Sequence, residues 1–390
     1  MKIALFHNLP SGGAKRVTYE IVKRASNRHD ITLYLVDQQA EQFLDLRPFV
    51  SSTCIEGYGR HTGGASGLVE ALFRYKKVHE RIAAKINAGG FDAVVVFQDR
   101  FFNTPFLLRY LRIPSLYFCH EPMARNLEPQ HVIQGTLAGV KKLIQQYAIS
   151  VDRYNARCAT VICANSRFSV ESLYRAFGVY PRFNRLGVDF DLFRPAHLQA
   201  RADEVLSVGS LTVAKAHRFI IESVATLPTP PTVRIVYNFA AAGEEHALQL
   251  FAQACGVRLV LDRMVSEPDL IFAYNKATVT AYAPMLEPFG LVPLESMACG
   301  TPVVGVAEGG LRETVIEGRT GLLTQRDPVE FGAAIGKLLE DRDLQQQISI
   351  EARHYVEKEW SWDLSYVDFE RNLNWAMTRP AFSGRNGSIT

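Results

Sequence analysis

The sequence predicts an α/β fold of two doubly wound, parallel-sheet domains, and three observations carry that expectation. Short apolar runs alternate with helix-period segments along nearly all of the 390 residues, the pattern of parallel sheets flanked by helices. The alternation restarts after Asp189-Phe190-Asp191-Leu192-Phe193-Arg194-Pro195 and a polar stretch to Glu204. The length allows two or three domains, each with its own core.

In the first half, strands are expected near 2–6, 30–36, 92–97, 114–119 and 160–164, with helices near 13–25, 68–88, 137–158 and 166–177. The second half gives strands near 204–208, 232–237, 257–261, 278–283 and 302–306. Its helices are expected near 215–226, 244–255, 267–276, 290–299 and 310–317, followed by a helical tail from Pro328. Trp360 and Trp362 read as buried anchors of that tail. In doubly wound sheets ligands sit beyond the carboxyl ends of the strands, so the residues just after strands are the ones to weigh.

Composition narrows the class. The chain is 47% hydrophobic and 21% charged, and no run approaches the ~18 apolar residues of a membrane-spanning helix. The sequence opens directly on the strand pattern Lys2-Ile3-Ala4-Leu5-Phe6, with no secretory signal pattern ahead of it. Six scattered Cys without a C-x-x-C pair read as reduced thiols, not a disulfide frame or a zinc site. Disordered, collagenous, secreted and membrane-spanning classes are excluded, and a cytoplasmic protein is expected. Residues 1–195 carry 26 Lys and Arg against 16 Asp and Glu, whereas the remainder carries 17 against 24. A basic half beside an acidic one suggests an anionic partner for the first half, or simply two differently solvated surfaces.

Four constellations follow strands. His7-Asn8-Leu9-Pro10-Ser11-Gly12-Gly13 leads into a helix, where amides can approach an anion or a tight turn alone is served. It is neither G-x-G-x-x-G nor G-x-x-x-x-G-K-[ST]. His120 stands directly after Ser115–Cys119 and is either a cleft residue or a satisfied structural one. No second His or Cys lies at metal-ligand spacing, so no metal is expected. Gly209-Ser210-Leu211-Thr212-Val213-Ala214-Lys215 places a lysine in a helix's first turn, within reach of a phosphate unless merely solvated.

The fourth segment decides the reading: Glu287-Pro288-Phe289-Gly290-Leu291-Val292-Pro293-Leu294-Glu295, ending in Met297-Ala298-Cys299-Gly300-Thr301-Pro302. Pro293 suits a first turn, and Gly300 with Pro302 ends the helix. Free amides around Phe289, Gly290 and Leu291 suit a diphosphate at the helix mouth. Glu287 then faces one side of that diphosphate, while Glu295, about 7–9 Å along the helix, suits a diol on the other. The ligand implied is a sugar–diphosphate–ribose.

These motifs, with the Gly-Gly-Leu-Arg-Glu-Thr-Val run at 309–315, resemble the retaining family-four glycosyltransferases of GT-B fold. The resemblance also takes in Gly12-Gly13, Ala164-Asn165-Ser166, the segment from Arg185 to Pro195, Lys215, and Gly318–Leu323. It implies two Rossmann-like domains facing across a cleft. By that resemblance, residues 1–190 would form the acceptor domain and 196–363 the nucleotide-sugar domain, with a final helix at about 364–380 crossing back to the first. Glu295 would bind the ribose, and Glu287 with the amides of Phe289, Gly290 and Leu291 the donor sugar. Lys215 would neutralise the leaving diphosphate, His120 would lie against the sugar, and Gly13 would border the phosphate. The base would meet the loop Arg263-Met264-Val265. Transfer with retained configuration, the departing phosphate taking the acceptor's proton, needs no cofactor beyond the nucleotide-sugar co-substrate.

Ser210 stands where the family commonly has Arg, and Ala216 replaces the Gly after the lysine. A hydroxyl cannot replace a guanidinium fork, so Arg263 is a candidate for the missing cation. Asp189-Phe190-Asp191 could pass for a metal-binding D-x-D, but its position at the hinge favours a structural role. Basic residues fall on expected surface helices: Lys15, Arg16, Lys23, Arg24 and Arg28; Arg74, Lys76, Lys77, Arg81 and Lys85; Lys141, Lys142, Arg153 and Arg157. Beside Phe101-Phe102 and Phe106-Leu107-Leu108 they suggest a peripheral face for the inner membrane surface and a lipid-linked or glycan acceptor. Competing readings are a soluble acceptor, a sugar-nucleotide epimerase, a glycosidase using Glu287 and Glu295, and a catalytically weak subunit of the same fold. No recognition helix or aromatic-interleaved basic motif supports nucleic acid.

Overall fold

The computed structural model describes residues 1–9, 11–57, 65–123, 138–196 and 201–381, apart from the side chains of 65–72, 138, 140 and 141. Pro10, Lys141 and the hinge residues 197–200 therefore lie outside the described side chains. The chain forms two compact units, residues 1–185 with the segment from Ser365 onward, and Leu186–Leu364.

The first unit runs β1 (Lys2–Asn8), α1 (Gly13–Ala25), β2 (Asp30–Leu35), β3 (Ser52–Ile55), α2 (Ala65–Ala88), β4 (Ala93–Asp99), β5 (Ser115–Cys119), α3 (Ala138–Arg157), β6 (Val161–Ala164), α4 (Arg167–Phe177) and β7 (Arg182–Phe183). Its strands pair in parallel in the order β3-β2-β1-β4-β5-β6-β7. Strands covered on both faces need continuous apolar runs; all seven residues of β4 are buried.

The second unit runs β8 (Ala202–Val208), α5 (His217–Ala225), β9 (Thr232–Tyr237), α6 (Glu244–Ala254), β10 (Leu259–Arg263), α7 (Glu267–Lys276), β11 (Ala277–Tyr282), α8 (Leu291–Ala298), β12 (Val303–Val306), α9 (Leu311–Thr314), β13 (Gly321–Thr324), α10 (Pro328–Glu340) and α11 (Arg342–Glu359). The sheet order is β10-β9-β8-β11-β12-β13, again parallel. In each sheet the order reverses beside the first strand, between β1 and β4 and between β8 and β11. The carboxyl ends at that reversal form the crevice where such sheets take ligands.

α12 (Trp362–Met377) begins in the second unit and packs for most of its length with the first. Polar bonds hold it there: Arg185 Nε to Asp368 Oδ2 at 2.7 Å, Arg182 Nε to Asn372 Oδ1 at 2.8 Å, and His29 Nε2 with Glu370 Oε1 at 2.6 Å. Trp360 and Trp362 are buried.

Four expectations are corrected. Edge strands β3, β7 and β13 lack an apolar run long enough to stand out, and β10 begins two residues later than its sequence pattern suggested. The helix expected over 215–226 is broken: Val213–Lys215 forms a 3-10 turn, Ala216 takes φ 52°, and α5 starts at His217. Lys15 is not a surface cation. It is wholly buried on α1, its Nζ 2.6 Å from Glu41 Oε1, a carboxylate that also meets His7 and accepts from the Leu46 amide. Phe106, Leu107 and Leu108 belong to the core, not to an exposed face.

Candidate functional site

The second unit brings the decisive residues together at its sheet reversal. The loop after β8 delivers Lys215 and the loop after β11 delivers Glu287, with Lys215 Nζ 2.7 Å from Glu287 Oε2. The two loops are also tied by their backbones, the Met285 amide donating to Ala214 O at 2.8 Å. Both side chains keep partial solvent contact. An incoming anion can therefore take the place of the Glu287 carboxylate on the Lys215 ammonium.

Glu287 is held by its own backbone: its carbonyl accepts from the Gly310 amide at 2.8 Å. A Cβ on Gly309 would lie 2.4 Å from Glu287 O, and one on Gly310 would lie 2.3 Å from Pro288 O. These glycines are there because the 286–289 loop lies directly against them. Leu286, just before the glutamate, is left-handed at φ 48°.

α8 opens just beyond. Its N-cap, Gly290, has φ 94°, a value that favours glycine. Phe289 is buried, edge-on to Trp360 at 5.3 Å between centroids. The backbone amides of Phe289, Gly290 and Leu291 donate to no group among the described residues, leaving the positive end of the helix open to an anion. Glu295 lies on the second turn, nine-tenths buried, and Tyr274 donates its hydroxyl to Oε2 at 2.8 Å. Burial and the Glu295 carboxylate together push the Tyr274 hydroxyl well above its ordinary pKa, so it remains a donor.

Ser210 contributes its carbonyl to local structure. His217 Nε2 lies 3.2 Å from Ser210 O and 3.3 Å from Gly209 O, while its Nδ1 lies 3.2 Å from Ser207 Oγ. Burial lowers the His217 pKa to about 4, so the ring is neutral and Nε2–H donates. Arg263 is not in a loop. It ends β10, exposed, with β9 between that strand and β8, which puts it about 10 Å from the β8 end at ~4.8 Å per strand. Met264 beside it is left-handed and exposed, its amide donating to Tyr237 O at 2.8 Å, and Val265 is half-buried.

The first unit places its candidates separately. Gly12 is the N-cap of α1 at φ 99°, and a Cβ there would touch nothing within 4 Å, so conformation rather than crowding calls for glycine; Gly13 begins the helix. His120 follows β5 and Asn165 follows β6. Asn165 Nδ2 lies 3.3 Å from His120 Nδ1, so Nδ1 accepts and the proton sits on Nε2. Among the described residues, His120 Nε2 and Asn165 Oδ1 are both buried without a hydrogen-bond partner, and burial lowers the His120 pKa to about 4. Asp189 uses Oδ1 to accept from the amides of Asp191 and Leu192 at 3.2 and 3.0 Å, a turn-forming role.

Two residues escaped sequence reasoning. Tyr274, inside α7, carries no motif; only its period on a buried helix face could have suggested it. Arg326 reads as a loop cation ahead of Asp327-Pro328, yet its guanidinium binds the loop that bears Glu287.

Comparison with known proteins fits this geometry. Residues 189–355 match the family model Glycosyl transferases group 1. A relative named D-inositol 3-phosphate glycosyltransferase, from Xylanimonas cellulosilytica, is 31% identical over 229 residues, 52% of this chain and 54% of its own length. The chain thus spans about half the length of the curated relatives it matches. Among solved structures, sucrose-phosphate synthase from Thermosynechococcus elongatus aligns over 97% of this chain and 99% of its own, with a TM-score of 0.76 and 18% identity. Anabaena HepE in complex with UDP and glucose aligns over 96% of this chain and 100% of its own, with a TM-score of 0.75 and 20% identity. Residues 189–355 thus match the Glycosyl transferases group 1 model, and the whole chain has the two-unit Rossmann-like architecture of the GT-B fold.

Proposed function

We propose that this chain is a retaining hexosyltransferase that moves a sugar from a nucleoside diphosphate, UDP or GDP, to an acceptor hydroxyl. One observation carries the reading: the open amide mouth of α8 lies between two differently held carboxylates, with Lys215 on the first of them. Glu295, kept inward by Tyr274, binds the ribose diol. The α8 amides and Lys215 take the diphosphate, and Glu287 exchanges Lys215 for hydroxyls of the sugar. The bond from the anomeric carbon to the β-phosphate oxygen breaks as the acceptor oxygen joins that carbon from the same face. The acceptor's proton passes to the departing phosphate. Charge stabilisation on that phosphate does the catalytic work, where losing one donor typically costs ~3–4 kcal/mol of barrier.

In the first unit, His120 offers a neutral ring whose Nε2–H has no partner among the described residues, suited to a sugar oxygen, and Gly13 would border the phosphate. The Arg263–Val265 segment would meet the base. No cofactor or metal is required in this scheme. HepE, solved with UDP and glucose, supports a uridine donor.

For the acceptor we favour a lipid-linked or glycan hydroxyl at an anionic membrane surface. Support comes from α3, which exposes Leu143, Ile144 and Tyr147 beside Lys142, and from α2, which exposes Phe73 beside Arg74, Lys76 and Lys77. The relatives' name favours a second reading, a soluble phosphorylated polyol. A thermal-shift screen of UDP, GDP, ADP and their hexose conjugates tests the donor: stabilisation by one base series, larger with its sugar attached, is expected. No response to any of them would overturn the proposal.

A further inference from the structure

Arg326 follows β13, two strands away from the loop that carries Glu287. Its guanidinium forks onto Glu308, Nε to Oε1 at 2.8 Å and Nη2 to Oε2 at 2.7 Å. It also binds two carbonyls of the β11 loop, Nη1 to Ala283 O at 2.9 Å and Nη2 to Pro284 O at 3.0 Å. The Phe219 ring of α5 lies 5.4 Å from its central carbon. Glu308, after β12, accepts in turn from the Leu286 amide at 3.4 Å. One side chain thus ties the carboxyl ends of β11, β12 and β13 to the first turns of α5.

Between these bonds and Glu287 stands Leu286, at φ 48°. A leucine avoids that region and stays there only when its surroundings over-determine it. The Arg326–Glu308 fork fixes the residues before the turn, and the Gly310 amide fixes Glu287 after it.

We propose that Arg326 is a positioning residue for the donor site. It holds the Ala283–Leu286 turn and so sets where the Glu287 carboxylate meets Lys215. The functional consequence rests on the donor-sugar reading above; the mechanical claim does not. A lysine cannot reproduce the planar fork, so Arg326→Lys keeps the charge and loses the geometry. Glu308→Gln breaks the same fork from the other side.

The test combines amide exchange across residues 283–290 with calorimetry, using UDP and UDP-glucose as probes of the full chain. Both variants should exchange about tenfold faster in that segment, with the core strands unchanged. UDP affinity should stay within about twofold of wild type, while the extra affinity for UDP-glucose falls roughly 10–100-fold. Adding Leu286→Gly to Arg326→Lys should recover much of that loss, since glycine takes the left-handed turn without a clamp. Unchanged exchange across 283–290 in both variants overturns the proposal. Faster exchange in a chain whose wild type binds neither probe supports the clamp and removes the donor reading instead.

Discussion

His7, His79, His120 and His217 are buried, and burial brings their pKa values down to about 4, 3, 4 and 4. Each is neutral in the folded chain at pH 5, whereas the unfolded chain binds protons there with a pKa near 6.5. Stability is therefore full above pH 6.5 and falls as pH drops from 6.5 towards 4. The loss is roughly 2 kcal/mol per imidazole at pH 5. Asp99 opposes this: burial raises its carboxyl to about 6, so the folded form takes up a proton first below that pH. Burial also raises the Asp152 carboxyl, and two carboxyls offset less than four imidazoles. The urea midpoint should drop clearly between pH 7.5 and 5, and an equal or higher midpoint at pH 5 would contradict the assignment. Ala216 offers a second residue-scale test. Its φ of 52° is strained for a residue with a Cβ, so Ala216→Gly should leave stability unchanged or raise it by up to about 1 kcal/mol, despite glycine's larger unfolded-state entropy. A melting temperature lowered by several degrees would count against it.

The elements legible in the sequence are those with a strong period. β1, β4 and β5 contain continuous apolar runs because both faces are covered, and α1, α4 and α10 follow a helical stripe. The strands missed are edges of two to four residues, where no run exists to be read. The broken start of α5 depends on Ala216 adopting a conformation its side chain disfavours, which no local pattern announces. Glu287, Glu295 and the α8 mouth were legible as candidates because Gly and Pro punctuate that helix, and Lys215 because it closely follows a strand. Tyr274 and Arg326 were not, because their roles arise from contacts between distant segments. The packing of α9's start on the 286–289 loop gives the element-scale prediction. Gly310 has φ −75°, so Gly310→Ala adds no backbone strain, only a methyl against Pro288 O. We expect a loss of about 1–3 kcal/mol in stability and weaker nucleotide-sugar binding. A variant with wild-type melting and binding would show that the loop does not rest on that glycine.

Across the whole molecule, the basic excess of residues 1–195 is partly internal. Lys15 is buried against Glu41, and Arg81 and Lys85 pair with Glu56. Phe106–Leu108 are core. What remains for an anionic surface is the exposed set on α2 and α3, with Lys23 and Arg28 at the end of α1, and among the described residues no helix is long and apolar enough to cross a membrane. Each cation there is worth about 1 kcal/mol at an anionic membrane surface. Sedimentation with vesicles containing anionic lipid should therefore show salt-sensitive binding, reduced by Leu143→Glu with Tyr147→Glu. Equal partition to neutral and anionic vesicles would leave the soluble polyol as the favoured acceptor.

The claim on which the functional reading stands is that a diphosphate rests on the amino end of α8 between Glu287 and Glu295. Calorimetry on wild type, Glu295→Ala and Glu287→Ala, with a nucleoside diphosphate and its hexose conjugate, tests it most directly. Glu295→Ala should weaken both ligands about tenfold or more, whereas Glu287→Ala should spare the diphosphate and lose the gain from the sugar. Wild-type affinities for both ligands in both variants would place the donor elsewhere and contradict the account.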